Sequence, residues 1–321
     1  MTTINLNFRL SPSGELLPSF RCQAEEATLF NYMERQVTTL LHHGQSRTAE
    51  TYHATLVSFR RFRRCVDLTF EELDADLLSD YECHLKNSRL VPNSISFYMK
   101  RLRAVYNKAV SEGITEDRHP FRKVFTSSEK TVKRAIPLKA IRRLRAMDLS
   151  HDPSLCFARD MFLFSFYTRG MSFVDMSYLQ KTDLKNGLLS YRRKKTGQLL
   201  TLRWESCMDE IVGRYAASPS SPYLFAIIRD FRGDCRKQYS SALTLINRKL
   251  KRLGKSIGLP RPLTMYVARH SWASIARSEG IPLSVISEGM GHESERTTRI
   301  YLSSLETQVI DKANRKILEK L

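Results

Sequence analysis

The segment Gly291-His292-Glu293-Ser294-Glu295-Arg296-Thr297-Thr298-Arg299-Ile300-Tyr301-Leu302 gathers a histidine, two arginines and a tyrosine into one short stretch that turns from polar to apolar. Upstream, Thr264-Met265-Tyr266-Val267-Ala268-Arg269-His270-Ser271-Trp272 adds an Arg-His pair. Phosphoryl chemistry on a polyanion uses these groups. A tyrosine can attack phosphorus covalently, guanidinium groups can hold the non-bridging oxygens, and an imidazole can move a proton. Such a reaction requires no metal or other cofactor.

The composition points to the polyanion. The 321 residues include 52 Lys and Arg against 33 Asp and Glu, a formal net charge of +19. Nucleic acid is the default partner for that excess. A membrane partner is disfavoured, because no apolar run reaches transmembrane length and no lysine-rich amphipathic terminus is present. The N-terminal residues Met1 to Leu10 alternate polar and apolar like a short strand, without the charged-then-apolar order of a secretory signal. Cys22, Cys65, Cys83, Cys156, Cys207 and Cys235 are scattered, with no Cys-x-x-Cys pair and no histidine cluster at zinc spacing. They read as reduced thiols of a cytoplasmic protein.

Working back along the chain, residues 46 to 113 are rich in helix formers. The stretch Thr51 to Phe62 repeats apolar residues at helical spacing, with Arg60, Arg61, Arg63 and Arg64 beside them. Leu73 to Leu85 reads as a second, acidic helix. Pro92-Asn93-Ser94 starts a third, in which Phe97, Leu102, Val105 and Tyr106 suit the inside while Lys100, Arg101, Arg103 and Lys108 suit the outside. These basic faces are the expected DNA contacts of a small helical domain. Residues 116 to 135 then lose helical periodicity and form a basic connector.

Beyond the connector, Asp152-Pro153-Ser154 caps a strongly apolar helix from Leu155 to Tyr167, which belongs in a core. Leu188 to Leu202 reads as two strands joined at Lys195-Thr196-Gly197, a hairpin tip shaped to enter a groove. Arg236 to Ile257 is a basic helix in which Leu243, Leu245, Ile246, Leu250 and Leu253 face inward. Pro260 to Leu263 breaks it before a helix from Tyr266 to Ser278. The last residues, Gln308 to Leu321, form a charged amphipathic helix that either folds back on its own domain or docks on a neighbouring copy.

These residues resemble the tyrosine recombinases, or phage integrases, which share their cleavage chemistry with type IB topoisomerases. Gly291-His292, Thr297-Thr298 and Tyr301 resemble the family's C-terminal signature, Val267-Ala268-Arg269-His270 resembles part of its His-x-x-Arg-His box, and Lys195-Thr196-Gly197 is similar to its lysine hairpin. The implied fold is mainly α. A helical, SAM-like core-binding domain (21–115) would precede a mixed α+β catalytic domain (136–306) with a small antiparallel sheet. Residues 1–20 would be an extension, 116–135 a linker, and 307–321 a C-terminal helix.

The resemblance also implies roles. Tyr301 would form a 3′-phosphotyrosyl bond and release a 5′-hydroxyl. Arg269 would hold the scissile phosphate with a planar, two-pronged grip. Lys195 would protonate the leaving oxygen, and His292 would bind the phosphate or assist the tyrosine's proton transfer. Four protomers would act on two DNA sites, with an accessory DNA-bending protein as a further partner. An invertase, resolvase or mobile-element integrase is the expected setting.

Two positions depart from the family pattern. Tyr266 stands where the box has its histidine, and it can donate a hydrogen bond but cannot be a cation near neutral pH. In Gly170-Met171-Ser172-Phe173-Val174-Asp175, Ser172 stands where the family has its first arginine, with Asp175 in place of the usual acid. Arg169 is the expected substitute; otherwise Arg192 or Arg193 supplies the second positive charge. Two rival readings follow from the departures: a DNA-binding protein that has lost the chemistry, and a topoisomerase without site preference.

Overall fold

In a computed structural model of the chain, the described residues are 7–10, 16–19, 28–124, 126–127, 129, 134–302, 315 and 318–319. The terminal helix expected over 307–321 lies outside them except for residues 315, 318 and 319. The chain divides into two compact units, Met1–Thr131 and Val132–Leu321.

The first unit opens with strand β1 (Asn7–Leu10), which the alternating N-terminus predicts, paired antiparallel with β2 (Leu16–Ser19). Helices α1 (Leu29–His42), α2 (Ser46–Phe62), α3 (Ala75–Asn87) and α4 (Pro92–Ser111) follow. Local chemistry sets two of the starts. Asp74 accepts from the Leu77 amide at 2.8 Å, satisfying one of the orphan donors of α3. Pro92, which has no N–H to leave unpaired, opens α4.

Leu29, Phe59, Tyr81, Leu102 and Tyr106 are buried together between these helices. Phe59 and Tyr81 meet edge to face at 4.8 Å, and the Tyr81 hydroxyl donates to Ser58 at 2.7 Å, so its polar tip stays satisfied in an apolar core. A 3₁₀ turn at Pro120–Lys123 adds Phe121 and Val124 to the same core. Phe97 does not point inward as its apolar character suggests. It is half-exposed, and the Arg101 guanidinium stacks over its ring at 5.6 Å, an arrangement that shields the ring without burying it.

The second unit begins with α5 (Leu138–Arg145) and α6 (Pro153–Tyr167). Asp152 accepts from the Ser154 and Leu155 amides at 3.1 and 3.0 Å and so fixes where α6 starts. Its apolar residues cover all sides of the helix, and Ala158, Met161, Phe162 and Phe164 are buried. After α7 (Phe173–Ser177) comes an antiparallel sheet of β3 (Leu184–Lys185), β4 (Leu188–Arg192) and β5 (Leu199–Arg203), with Leu188 opposite Arg203 and Arg192 opposite Leu199. Leu189, Tyr191 and Leu202 turn their alternating positions into the core.

Helices α8 (Ser206–Tyr215), α9 (Cys235–Ser256), α10 (Met265–Ser278), α11 (Leu283–Gly289) and α12 (Glu295–Tyr301) complete the unit. Along α9 the buried stripe is Ile246, Leu250 and Leu253; Leu245, expected inside, lies one position off that stripe and is 43% exposed. A buried polar centre joins α6 to α8. Asp160, 1% exposed, accepts from Arg159 Nε at 2.8 Å, Arg214 at 2.7 Å and the Tyr215 hydroxyl at 2.9 Å. Among the described residues no helix is long and apolar enough to cross a membrane.

Candidate active site

The site is assembled from the turns that follow α6 and α11, from α10, and from the β4–β5 hairpin. The α6 chain reverses where Arg169 and Gly170 take left-handed backbone angles, φ 58° and 76°, and the Gly170 amide donates back to Ser165 at 2.7 Å. Only glycine fits at position 170. A Cβ there would lie 2.7 Å from Cα of Arg269, so α10 passes directly against the turn.

Arg269, 5% exposed, uses that proximity: its guanidinium donates to the Gly170 carbonyl at 2.8 Å and to the Met290 carbonyl at 2.6 Å. It also lies 2.9 Å from Nε2 of His292. Because arginine only donates, Nε2 must accept, and the ring proton therefore sits on Nδ1, 2.7 Å from Oγ1 of the fully buried Thr298. His292 is neutral in this arrangement. Burial pushes its pKa down to about 4, with the charges of Arg269, Arg193 and Lys195 adding to the effect.

The turn after α11 supplies the opposite wall. Gly291 has φ 64°, and a Cβ on it would come within 2.8 Å of Cδ of Arg193. The Gly291 carbonyl accepts from the Arg193 guanidinium, so the carbonyls of Met290 and Gly291, in the turn that follows α11, are each bonded by an arginine from elsewhere in the chain. Arg193 is 7% exposed, and its Nε is buried without a hydrogen-bond partner among the described residues. Its root is firm, since its amide donates to the Gln198 carbonyl at 2.9 Å and its carbonyl accepts from the Gly197 amide at 2.8 Å. Lys195 is exposed at the tip of this hairpin.

Arg169, expected as the replacement for the first arginine, runs between β5 and the end of α11 and, with Arg269 and Arg193, is close enough to act on buried Tyr191. Its guanidinium donates to the Thr201 carbonyl on β5 at 3.3 Å, and its Cδ runs past Gly289. Arg193, the alternative that sequence alone leaves open beside Arg192, is among the charges that lower the His292 pKa. Ser172, in the arginine's usual seat, donates from Oγ to Asp175 at 2.6 Å, and the other Asp175 oxygen accepts from the Lys194 amide at 2.8 Å. The sequence gives no signal for this link from turn to hairpin, nor for the Thr298 contact that fixes the His292 tautomer.

Tyr266 is 48% exposed on the first turn of α10, its ring edge-on to buried His270 at 4.6 Å. Tyr301 is the last residue of α12, ten positions beyond Gly291, and its side chain lies outside the described part of the structure. Arg192 donates to the Gly197 carbonyl at 3.1 Å and is exposed. In the first unit, Arg61, Arg64, Lys100 and Arg103 are exposed, while Arg60 is paired with Glu34 at 2.7 Å. Among the described residues no group of His, Cys, Asp and Glu is arranged to hold a metal ion.

Known proteins share both the sequence pattern and the fold. The phage integrase SAM-like domain matches residues 28–125 and the phage integrase family matches residues 161–308. Tyrosine recombinase XerC of Treponema denticola is 26% identical over 281 residues, 79% of this chain and 87% of the relative. Tyrosine recombinase XerA of Thermococcus kodakarensis is 23% identical over 254 residues, 78% of this chain and 85% of the relative. Among solved structures, lambda integrase in a tetramer bound to a Holliday junction superposes with a TM-score of 0.67 at 15% identity, covering 94% of this chain and 95% of that one. The Tn1549 transposon integrase in complex with transposon right end DNA gives 0.64 at 15% identity, over 92% of this chain and 99% of that one. With both integrase domains matched in order and the fold shared along nearly its whole length, the chain belongs to the phage integrase family of tyrosine-type site-specific recombinases.

Proposed function

We propose that the protein cuts and rejoins double-stranded DNA through a covalent 3′-phosphotyrosyl intermediate on Tyr301. The convergence of Arg269, Arg193, Lys195 and neutral His292 around the Gly291 turn carries this reading. In the first step the Tyr301 oxygen bonds to phosphorus and the bond to the 5′-oxygen breaks. The leaving oxygen takes its proton from Lys195, and the phenol gives its proton up to water, with His292 assisting that transfer or hydrogen-bonding the phosphate. Arg269 and Arg193 hold the phosphate oxygens as negative charge builds in the trigonal-bipyramidal transition state. Attack by another strand's 5′-hydroxyl reverses the step on a new partner. Each exchange trades one phosphoester for another, so no nucleotide cofactor is required.

The second cation at the phosphate is Arg193. Its buried Nε lacks a partner among the described residues, whereas Arg169 is engaged with β5. Tyr266 stays at the rim of α10 as a neutral hydrogen-bond donor to phosphate. Arg60, Arg61, Arg64, Lys100, Arg101 and Arg103 of the first unit, with Arg192 of the second, contact the DNA backbone. The protein works in the cytoplasm as a tetramer on two sites, as an invertase, resolvase or mobile-element integrase, and an accessory DNA-bending protein is compatible with that assembly.

Covalent trapping tests the reading. The full chain is incubated with nicked duplexes drawn from DNA flanking its own gene, and a denaturant-resistant adduct is sought. An adduct lost in Tyr301→Phe is the expected result. Tight, sequence-selective binding with no adduct from any duplex would instead favour a DNA-binding protein that has lost catalysis, and relaxation of supercoils without any site preference would favour a topoisomerase.

A further inference from the structure

The lysine that donates the proton sits on an exposed hairpin tip, and an exposed tip does not hold an ammonium group in one place by itself. Its neighbour Lys194 is held at two points. The Lys194 amide donates to Asp175 Oδ1 at 2.8 Å, with Asp175 itself buried and gripped by the Ser172 hydroxyl at 2.6 Å. The Lys194 ammonium lies over the face of Tyr178, 4.3 Å from the ring centroid. Tyr178 is in turn wedged edge-on between Tyr223 and Tyr239, each at 5.9 Å. Burial raises the Tyr178 pKa, so the ring meets the ammonium as a neutral π-face.

We propose that Tyr178 and Lys194, with Ser172 and Asp175 behind them, form a clamp that positions Lys195 for proton donation to the leaving 5′-oxygen. Successive side chains in a tight turn leave the backbone in different directions, so pinning Lys194 onto α7 and its following turn commits the direction of Lys195. The clamp also gives Ser172 a use. In the seat where the family has an arginine, its hydroxyl orients the carboxylate that holds the hairpin root. These four are positioning residues, and none of them touches the phosphate in this scheme.

The proposal rests on the reading of Lys195 as the acid, and one substrate pair separates the two claims. Cleavage of a nicked duplex is compared with cleavage of the same duplex carrying sulfur in place of the bridging 5′-oxygen. The sulfur leaves as a thiolate and needs no proton, because a thiol is far more acidic than an alcohol. Lys195→Ala should lose roughly 10²- to 10⁴-fold on oxygen and recover on sulfur. Lys194→Met and Tyr178→Leu should each slow the oxygen substrate by about two- to fivefold, the contribution of one cation–π contact, and run at the wild-type rate on sulfur. Tyr178→Phe, which keeps the ring, should regain most of the rate lost in Tyr178→Leu.

If Lys195→Ala is not recovered by sulfur, the acid assignment itself fails. If it is recovered while Lys194→Met is slowed equally on both substrates, or on neither, the clamp is overturned and the acid assignment stands. Lys194 is exposed, so its substitution carries the test should Tyr178→Leu fold poorly.

Discussion

Arg269 and His292 lie 2.9 Å apart, guanidinium nitrogen against imidazole Nε2, and the arginine's donor character forces the histidine to be an acceptor there. This pair fixes a protonation state that the amino-acid sequence leaves open. It makes His292 a neutral base in the DNA-free protein rather than a third cation.

The same state predicts how stability varies with pH. The folded pKa of His292, about 4, lies below its unfolded value near 6.5, so the unfolded chain binds more protons between those limits. Stability contributed by neutral His292 is therefore complete above about pH 6.5 and declines as pH falls towards 4. The half-buried site is screened by solvent, which reduces the full shift to about 1–2 kcal/mol. Denaturant unfolding of wild type and His292→Gln at pH 7.5 and 5 checks it: the wild type should lose that much more than the variant.

Removing the two arginines should have unequal effects. Arg193→Ala should lower cleavage by roughly 10²- to 10³-fold with DNA binding retained, the size of one lost oxyanion donor. Arg169→Ala, which loses a surface-side bond to the Thr201 carbonyl, should change the rate by less than about tenfold. Single-turnover cleavage of nicked duplexes measures both, and the reverse order would return the second cation to Arg169.

Gly170→Ala should destabilise the protein. It places a Cβ 2.7 Å from the Arg269 backbone at φ 76°, where a side chain is already disfavoured, for a loss of about 2–4 kcal/mol. Thermal unfolding reads the loss. Cleavage should fall further than the remaining folded fraction explains, since Arg269 must move with the turn.

Asp160→Asn should cost about 3 kcal/mol without touching the chemistry. Asp160 is the carboxylate against which Arg159 is buried, and its loss leaves an uncompensated charge. The expected signature is a lowered denaturation midpoint with the cleavage rate per folded molecule unchanged.

Much of the architecture is legible in the chain itself. The largely apolar run Leu155–Tyr167, interrupted by Arg159 and Asp160, reads as a core helix, Asp152-Pro153 marks its start, and alternation around Lys195-Thr196-Gly197 gives the hairpin. His292 and Tyr301 stand out as candidates because they share one short segment. The approach of Arg193 to the Gly291 turn is not legible, because the two are 98 residues apart and only folding brings them together. Leu245 and Phe97 show the same limit on a smaller scale. Their hydrophobicity predicts burial, but helix phase and a stacked arginine decide their exposure.

The arginines that bond the Met290 and Gly291 carbonyls hold like charges close together around an uncharged imidazole. Their mutual repulsion works against the folded state, and the two turn carbonyls offset it only with partial charges. Under the proposed function, a phosphate gripped by both guanidinium groups removes that opposition, so the anion the site binds is also the one that stabilises it.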